Sequence, residues 1–345
     1  MDVLIPDEIT GGGGSGERLP GQVETIRPRE ISGWVASPDG QPIMVSLFAG
    51  DVECVRTWAA APTDRRRDTF SFRFNLRHLW RFVRSGDAIQ VRANGRALPI
   101  RDSGDRYIVT RDGLKDLERL QRRLRQGYVF NQRGKIQLSI SRDRKWQEST
   151  FGMYEFSRQL LKEKMGYDMI VFFGTLLGAI RSGEFIGHDH DFDVAYLSRH
   201  NTPEAVVEEV RRIAHDFLDA GCFVKPNARC LWIKHPDFPR AKMDLFFKWA
   251  PVDGEIQSPF GFAGERRVSR DDIEPARPGM LRGREVLIPS NPEAVLEALY
   301  GSTWRLPQPG FSWAKDRKRF DASSRLPQTM MEEIAERAIA QKSPI

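Results

Sequence analysis

The sequence predicts an α+β chain in which a small antiparallel β-sandwich precedes a larger domain with a mixed sheet. Short apolar strands separated by turn residues fill the first third of the chain. Amphipathic helical segments alternate with apolar strands in the remainder. The predicted divisions are a disordered tail at 1–20, a β-sandwich at 21–110, a helical linker at 111–142 and a second domain at 143–345.

The sandwich is predicted from alternating strands and one clear turn. The runs ISGWVAS and IMVSLFAG flank PDGQP, in which Pro38 presets φ and Gly40 accepts positive φ. Phe70, Phe72 and Phe74 alternate with polar residues, as in a half-buried strand. The segments TFSFRFNL and AIQVRANGRALPI supply the later strands of this domain.

The linker contains an amphipathic helix predicted at 112–126. Its apolar stripe consists of four leucines, Leu114, Leu117, Leu120 and Leu124. Its basic side consists of Arg119, Arg122, Arg123 and Arg125. A solvated helix that connects two domains is the interpretation we favour, and contact with a membrane surface is the alternative.

Composition sets further bounds. A length of 345 residues predicts two domains, and 40% hydrophobic with 29% charged residues describes an ordinary globular protein. The sequence contains no run of 18 apolar residues, so no membrane span is predicted. The first 20 residues lack the basic start and the apolar core of a signal peptide. Cys54, Cys222 and Cys230 contain no Cys-x-x-Cys pair, which favours reduced thiols and a cytoplasmic protein. Nucleic-acid binding is not predicted, because the sequence has no basic stripe with interleaved aromatic residues.

The most informative segment follows the apolar run at 169–173. Gly174-Thr175 starts a short helix predicted at 176–181, and Asp189, Asp191 and Asp193 then alternate along the chain. Alternation is the period of a strand, so the three carboxylates are predicted on one face. Carboxylates this close repel unless a cation lies between them, which indicates Mg²⁺ or Mn²⁺. Backbone N–H groups at the helix start favour an anion.

The segment 174–194, GTLLGAIRSGEFIGHDHDFDV, resembles the signature of the LicD/fukutin-related family. That family has a nucleotidyltransferase-like fold of the DNA polymerase β type, and its members transfer phosphocholine or polyol phosphates from CDP-activated donors to glycans. The family pattern continues from Gly-Thr-Leu-Leu-Gly-Ala to an acid cluster that ends Asp-apolar-Asp. Here Gly187-His188 replaces the usual Pro-Trp, and His190 stands within the acid run.

Two later segments extend the resemblance over about residues 145–315. In AKMDLFFKW, Asp244 lies inside an apolar strand and matches the third metal-site carboxylate of the fold. A lone buried acid is costly without a charge partner, so a structural ion pair is the alternative role. The segment 286–309 resembles the closing family element, in which a helix is followed by Leu-Tyr-Gly, Trp and Pro.

The resemblance implies a role for each candidate residue. Asp191, Asp193 and Asp244 would bind the metal, and Asp189 or Asp244 would take the acceptor proton. The donor would contact Gly174, Thr175, Arg181, His188 and His190. For Arg181 a structural ion pair is the equal alternative, and Asp189 is a candidate partner. A closed zinc site on the two histidines is disfavoured, because the surrounding ligands are hard oxygens.

The implied activity is metal-dependent transfer of a phospho-substituent from a CDP-linked donor to a sugar hydroxyl of a cell-surface glycan. The expected partners are that donor and a glycan or lipid-linked glycan acceptor. The expected location is the cytoplasm, and peripheral contact with the inner face of the cell membrane is a further expectation. Two alternatives stay open: a nucleotidyltransferase acting on a small hydroxyl or sugar-phosphate compound, and a non-catalytic glycan-binding protein with a degenerate transferase domain. The sandwich resembles modules of glycan-modifying enzymes through Gly33-Trp34-Val35, and a plain packing module explains it equally well.

Two features near the C-terminus have open roles. Lys315, Arg317, Lys318 and Arg319 form a basic cluster, either a solvated face or a phosphate clamp. Trp304 and Trp313 are candidates for stacking on a base or sugar, with core packing as the alternative.

Overall fold

The computed structural model describes residues 20–63, 68–131, 133–252, 254–307, 311, 318–319 and 325–340. The predicted tail up to residue 19 and three late residues, Trp313, Lys315 and Arg317, lie outside the described residues. The chain divides into two units, Met1–Ser139 with Leu306–Phe311 and Ile140–Arg305 with Ser312–Ile345. None of the described helices combines the length and apolarity needed to cross a membrane.

The first unit contains an antiparallel sandwich of two sheets. Its strands are β1 (Gly21–Arg27), β2 (Glu30–Ala36), β3 (Ile43–Ala49), β4 (Val52–Ala59), β5 (Ala61–Pro62), β6 (Thr69–Phe74), β7 (Ala88–Ala93), β8 (Arg96–Ala97) and β9 (Tyr107–Ile108). One sheet has the order β1-β2-β6-β5, and the other has β4-β3-β7-β8 with β9 beside β7. A short 3₁₀ turn, Leu79–Arg81, follows β6.

The predicted alternation in the sandwich is confirmed. Phe70, Phe72 and Phe74 of β6 are all buried in the core of this unit. Gly40 has a φ of +67° in the turn before β3, which a side chain would disfavour. The sequence does not single out β4, because Glu53 and Arg56 interrupt its apolar residues.

The segment after the sandwich forms helix α1 (Leu117–Arg125) and a hairpin of β10 (Tyr128–Phe130) and β11 (Ile136–Leu138). Helix α1 begins five residues later than predicted, because the Asp116 side chain caps it by accepting from the Arg119 N–H at 2.9 Å. Leu120 is buried in the core of the first unit, whereas Leu114 lies outside the helix with 89% of its surface exposed. The predicted helix of the linker therefore packs on the sandwich core through part of its leucine stripe.

The second unit contains a five-stranded sheet, a hairpin and five helices among its described residues. Its strands are β12 (Ile170–Val171), β13 (Phe192–Leu197), β14 (Phe223–Asn227), β15 (Cys230–Lys234), β16 (Met243–Lys248), β17 (Arg277–Leu281) and β18 (Arg284–Ile288). The helices are α2 (Arg144–Met165), α3 (Phe173–Ser182), α4 (Pro203–Asp219), α5 (Pro292–Tyr300) and α6 (Gln328–Ala340), and a 3₁₀ turn covers Arg270–Asp272.

The main sheet has the order β12-β13-β16-β15-β14 and is mixed, as predicted. Its central strands β13 and β16 run parallel, and the other described pairs of this sheet are antiparallel. Every residue of β13 and β16 is buried, which fits strands covered on both faces. An acid placed on either strand is therefore held inside the protein.

Local signals position the helices around this sheet. Asp143 caps α2 by accepting from the Trp146 N–H at 3.0 Å, and Gly166 ends that helix with a φ of +72°. Thr202 caps α4 and Pro203 occupies its first turn. The three cysteines are free and buried, which agrees with the expectation of reduced thiols.

Candidate active site

Two buried carboxylates lie side by side at the centre of the mixed sheet. In the parallel register of β13 and β16, Asp193 is the direct neighbour of Asp244. Their residues are only 9% and 8% exposed. Since parallel neighbours project the same way from the sheet, the two acids share one face. Backbone hydrogen bonding alone thus brings together two carboxylates that are about fifty residues apart in sequence.

The other two predicted acids do not lie on the strand. Strand β13 begins at Phe192, so the prediction that alternation continues back to Asp189 and Asp191 is wrong. The Asp189 N–H instead donates to the carbonyl of Ile186 at 2.9 Å, which closes a turn before the strand. The Asp191 side chain is 51% exposed at the strand entrance. Asp189 and Asp191 therefore reach the site from a loop.

The strand-to-helix junction at Phe172–Thr175 is bonded directly to Asp193. The Phe172 N–H donates to the Asp193 carbonyl at 2.9 Å, and the Asp193 N–H donates to Oγ1 of Thr175 at 2.9 Å. The Gly174 N–H donates to Oδ2 of Asp193 at 3.2 Å. In this structure the helix start that was predicted to bind phosphate therefore already binds a carboxylate of the chain.

Gly174 is required for close packing rather than for an unusual φ. A Cβ atom at this position would lie 2.6 Å from Oδ2 of Asp189 and 3.5 Å from Oδ2 of Asp193. Both distances involve carboxylates of the site, and the first is too short for a stable contact. The missing side chain therefore lets the Asp189 carboxylate reach the helix start.

Lys242 supplies the positive charge nearest to the acids. Its Nζ atom lies 2.8 Å from Oδ1 of Asp191 and 3.2 Å from Oδ1 of Asp244. The same ammonium lies 5.2 Å from the ring centroid of Trp232, whose side chain also hydrogen-bonds to Asp244. Burial by itself would lower the pKa of Lys242, but the two carboxylates outweigh it and raise that pKa.

The electrostatics show how strongly the acids are crowded. Burial and then the charge of Asp191 raise the pKa of Asp189 to about 7. Burial raises the pKa of Asp193 well above its usual value, and the charges of Asp189 and Asp244 add to the effect. Burial raises the pKa of Asp244 to about 6, although Lys242 acts in the opposite direction. Perturbed acids grouped in this way are typical of functional sites.

A basic and aromatic group borders the acids. Burial lowers the pKa of Arg181, and Tyr300 of α5 is close enough to influence that guanidinium. Burial lowers the pKa of His188 to about 4, helped by the nearby Arg181 charge. Burial raises the pKa of Tyr300 well above its usual value, with Asp193 and Asp189 as the next causes. Among the described residues, no carboxylate forms an ion pair with Arg181.

The segment that contains the acids matches a known protein family. Residues 166–291 match the family model described as LicD/FKTN/FKRP, nucleotidyltransferase domain. This segment is a LicD-family domain. It includes Gly174, Thr175, Lys242 and the four acids, and it lies within the mixed α+β unit, which confirms the predicted fold class. The family consists of transferases, which supports an enzymatic role for the LicD domain.

Solved structures add little to this assignment. The Bradyrhizobium diazoefficiens CD-NTase CdnG in complex with GTP is similar at 11% identity and a TM-score of 0.25, with 57% of this chain and 71% of that chain covered. Similarity at this level supports no conclusion about substrates. No curated protein matches this chain significantly.

The donor atoms of the LicD domain fit a hard divalent cation. Carboxylate oxygens are the preferred ligands of Mg²⁺ and Mn²⁺, and Oδ1 of Asp244 is buried without a well-aligned hydrogen bond. In the part of the chain that the structure describes, no three His, Cys, Asp or Glu side chains are gathered as a finished metal site. The ammonium of Lys242, which contacts Asp191 and Asp244, already neutralises part of this charge.

The remaining predicted residues are distributed as follows. His190 is exposed, and its ring centroid lies 6.2 Å from that of Trp146. Trp304 is buried in the core, which favours the packing alternative for this residue. Lys318 and Arg319, the described members of the late basic cluster, pair with Glu265 at 2.7 Å and Glu255 at 2.9 Å.

Two lysines of the LicD domain escaped the sequence analysis. Lys242 is two residues before Asp244, and this period-two spacing was the available signal. Lys248 is the last residue of β16, the strand that contains Asp244, and it is fully buried. Its Nζ atom lies 2.7 Å from Oγ of Ser258 and 4.4 Å from the ring centroid of Phe173. Burial lowers the pKa of Lys248 to about 7. The sequence signal for this lysine was its place among apolar residues in FFKW.

Proposed function

We propose that the LicD domain transfers a phospho-substituent, phosphocholine or a polyol phosphate, from a CDP-activated donor to a sugar hydroxyl of a cell-surface glycan. The observation that carries this proposal is the buried pairing of Asp193 with Asp244 across β13 and β16. The transferase family of residues 166–291 supports the reaction class. A glycan or a lipid-linked glycan is the proposed acceptor.

Asp191, Asp193 and Asp244 are the proposed holders of Mg²⁺ or Mn²⁺. When bound, the ion would offset the charge of the donor diphosphate and of the departing CMP. The raised pKa values of Asp193 and Asp244 support this role, because both acids are buried and Lys242 offsets only part of the negative charge gathered there. Lys242 would give up its contacts with these acids to the ion and become a further cation for the diphosphate.

Asp189 is the proposed base for the acceptor hydroxyl. Its pKa of about 7 lets it accept a proton near neutral pH without being locked in the ionised form. The acceptor oxygen forms a bond to the phosphorus nearer the transferred group while the bond from phosphorus to the CMP oxygen breaks. The hydroxyl proton passes to Asp189, and CMP leaves with the electron pair of that bond.

Donor binding is assigned to the border of basic and aromatic groups. Arg181 is half-buried and has no ion-pair partner among the described residues, so a donor phosphate would supply the missing negative charge. His188 has a pKa of about 4 and would act as a neutral hydrogen-bonding group there. Thr175 and Gly174 would act mainly by holding Asp193 in place.

The second candidate function is nucleotidyl transfer to a small hydroxyl or sugar-phosphate compound. It is favoured by the matched family model, which describes a nucleotidyltransferase domain. The two reactions need the same acids and differ in the leaving group, which is CMP for a CDP-linked donor and pyrophosphate for a nucleoside triphosphate. A degenerate, non-catalytic domain is the third alternative, and the intact acids argue against it.

The deciding experiment separates these alternatives by product. The purified chain is incubated with CDP-choline, CDP-glycerol, CDP-ribitol or each common nucleoside triphosphate, with Mn²⁺ or with EDTA, and CMP and pyrophosphate are quantified. Metal-dependent release of CMP supports the proposal, and release of pyrophosphate supports nucleotidyl transfer. The non-catalytic alternative would be supported if the chain binds a donor but releases neither CMP nor pyrophosphate, and if Asp193→Asn gives the same result as wild type. The cytoplasmic location that we propose rests on the three free thiols.

A further inference from the structure

One leucine of the first unit, Leu114, lies outside the core on the surface. Leu114 is 89% exposed, although it follows the apolar spacing of α1 in the sequence. The residues on either side are bonded to the sandwich: the Gly113 N–H donates to the Val83 carbonyl at 2.8 Å, and the Lys115 N–H donates to the Arg81 carbonyl at 2.9 Å. The backbone around Leu114 is therefore fixed at both ends.

Close packing reinforces this arrangement. A Cβ atom on Gly113 would lie 2.7 Å from backbone atoms of Trp80, Arg81 and Val83. The glycine thus presses the turn against the Arg81 segment and leaves Leu114 pointing away from the core. A singly exposed leucine is common on protein surfaces, so the significance of Leu114 depends on the charged residues beside it.

Positive charges lie on the segments bonded next to this leucine: the Lys115 N–H donates to the Arg81 carbonyl at 2.9 Å, and the His78 N–H donates to the Gly134 carbonyl at 2.7 Å, beside Arg77 and Lys135. Partial burial lowers the pKa of Lys115, and the next causes are the charges of Arg123, Arg119 and Arg81. Burial likewise lowers the pKa of His78, and its cationic neighbours are Arg81, Lys135, Arg77 and Lys115. We call the surface formed by Leu114 and these cations the Leu114 surface; its cations are Arg77, Arg81, Lys115, Arg119, Arg123 and Lys135.

Three acids close to this surface are already engaged, whereas Glu118, beside Arg119 on α1, is exposed. Asp116 caps α1 and lies 3.5 Å from Arg84, outside the set of cations just defined. Oδ1 of Asp112 accepts from the Ser85 N–H at 2.9 Å, and Oδ2 of Asp87 accepts from the Arg84 N–H at 2.6 Å. These contacts use the acids to shape the turns, and the charge of the six cations stays in excess.

We propose that the Leu114 surface binds the anionic headgroups of a lipid bilayer, with Leu114 entering the boundary between headgroups and acyl chains. Anionic headgroups match the six cations, and the boundary offers an apolar medium to the leucine. A soluble polyanion such as an anionic glycan or a nucleic acid would use the cations and leave Leu114 in water. The leucine therefore decides in favour of a membrane.

The test uses the full chain and vesicles of two compositions: phosphatidylcholine alone, and equal parts of phosphatidylcholine and phosphatidylglycerol. We expect sedimentation with the anionic vesicles and loss of binding at high salt. Leu114→Ala should weaken this binding roughly fivefold to tenfold, because part of an apolar side chain is lost from the boundary. Arg81→Gln and Arg119→Gln should each weaken it about fivefold.

Matched controls separate this surface from general effects. Ile108→Ala removes another exposed apolar side chain of the same unit, 51% exposed, and should bind as wild type. The double change Arg27→Gln with Arg29→Gln removes two exposed charges from β1 and the turn after it and should have little effect. Circular dichroism checks that each variant is folded, which is expected since all the altered side chains are wholly or partly exposed.

Three results would overturn the proposal. The first is equal binding to both vesicle compositions, and the second is an unchanged affinity in Leu114→Ala. The third is stronger binding to soluble polyphosphate than to vesicles, with the same loss in Arg81→Gln and none in Leu114→Ala. That last pattern would identify the Leu114 surface as a polyanion site.

Discussion

The ammonium of Lys242 lies 2.8 Å from Oδ1 of Asp191, and the same nitrogen is 3.2 Å from Oδ1 of Asp244. One cation of the chain thus contacts an acid of the loop and an acid of the sheet. A divalent ion held by these acids would compete with it for the same oxygens. Under the proposed function, an exchange between this ammonium and a metal ion would therefore be part of the chemistry of the site.

Replacement of Lys242 by methionine is expected to separate these effects. Without the ammonium, apo protein at neutral pH should lose about 1 kcal/mol of stability, because Asp191 and Asp244 repel without compensation. Affinity for Mn²⁺ should rise several-fold for the same reason. Thermal unfolding and calorimetric titration measure both quantities. The matched control is Lys225→Met, since Lys225 lies 5.3 Å from the same Trp232 ring. Weaker Mn²⁺ binding in Lys242→Met would contradict a competing role for this lysine.

The pH dependence of stability tests the crowded acids. A carboxyl group whose pKa is raised on folding binds more protons in the folded than in the unfolded state, so stability falls as pH rises from about 4 to 7. Asp193→Asn removes the strongest case and should stabilise apo protein by about 2 kcal/mol at pH 8 with no gain at pH 4. Asp51→Asn, at an exposed turn, serves as the control. Denaturant midpoints across this pH range give the difference, and Mn²⁺ should remove most of it. A gain that is independent of pH would refute the origin in ionisation.

Two glycines of α3 should respond differently to alanine. In Gly174→Ala the new Cβ meets a carboxylate of Asp189, which can move, so stability should change by less than about 1 kcal/mol while turnover falls at least tenfold. In Gly178→Ala the new Cβ would lie 2.4 Å from the backbone carbonyl of Glu184, which cannot move cheaply, so stability should fall by about 1–3 kcal/mol. Chemical denaturation and CMP release measure the two effects. Normal turnover in a folded Gly174→Ala would show that the position of Asp189 is unimportant.

The hydroxyl of Thr175 is expected to matter through Asp193. Thr175→Val keeps the shape but leaves the Asp193 N–H buried without an acceptor, at a cost of about 1–3 kcal/mol. Thr175→Ser keeps the acceptor and should stay within about 1 kcal/mol of wild type. Hydrogen exchange at the Asp193 amide should accelerate in the valine variant and not in the serine variant. If both variants lose only donor affinity and keep wild-type stability, the hydroxyl contacts the donor instead.

Lys248 offers a test of opposite sign. Its pKa falls to about 7 on folding, so the unfolded chain binds more protons above that pH, and stability should rise between about pH 7 and pH 10. Lys248→Met should remove this rise and gain about 1 kcal/mol or more near pH 7, less the lost hydrogen bond to Ser258. Urea midpoints at the two ends of the window measure the rise. An unchanged slope in the methionine variant would assign the titration to another group.

Some of this site follows from sequence patterns and some does not. Asp193 and Asp244 each stand in a buried apolar strand, and the resemblance to the LicD family, rather than the apolar pattern alone, implied that the two acids meet. The positions of Asp189 and Asp191 were missed because a turn hydrogen bond from Asp189 to Ile186 ends the strand pattern, and alternation of residue types carries no trace of it. Leu114 was assigned to a helix because its spacing fits α1. The cap at Asp116 instead starts that helix at Leu117, three residues after Leu114.

The long-range pairing of β13 with β16 also has a consequence for how the protein acquires activity. Helix α4 and the hairpin of β14 and β15 separate the two strands in the chain, so their pairing closes a long loop and belongs to the slow part of folding. A slip of one residue would point either Asp193 or Asp244 to the opposite face while leaving the ladder hydrogen-bonded. Regain of helical signal on refolding should consequently precede regain of turnover, and the delay between them reports when the two strands find their partner positions.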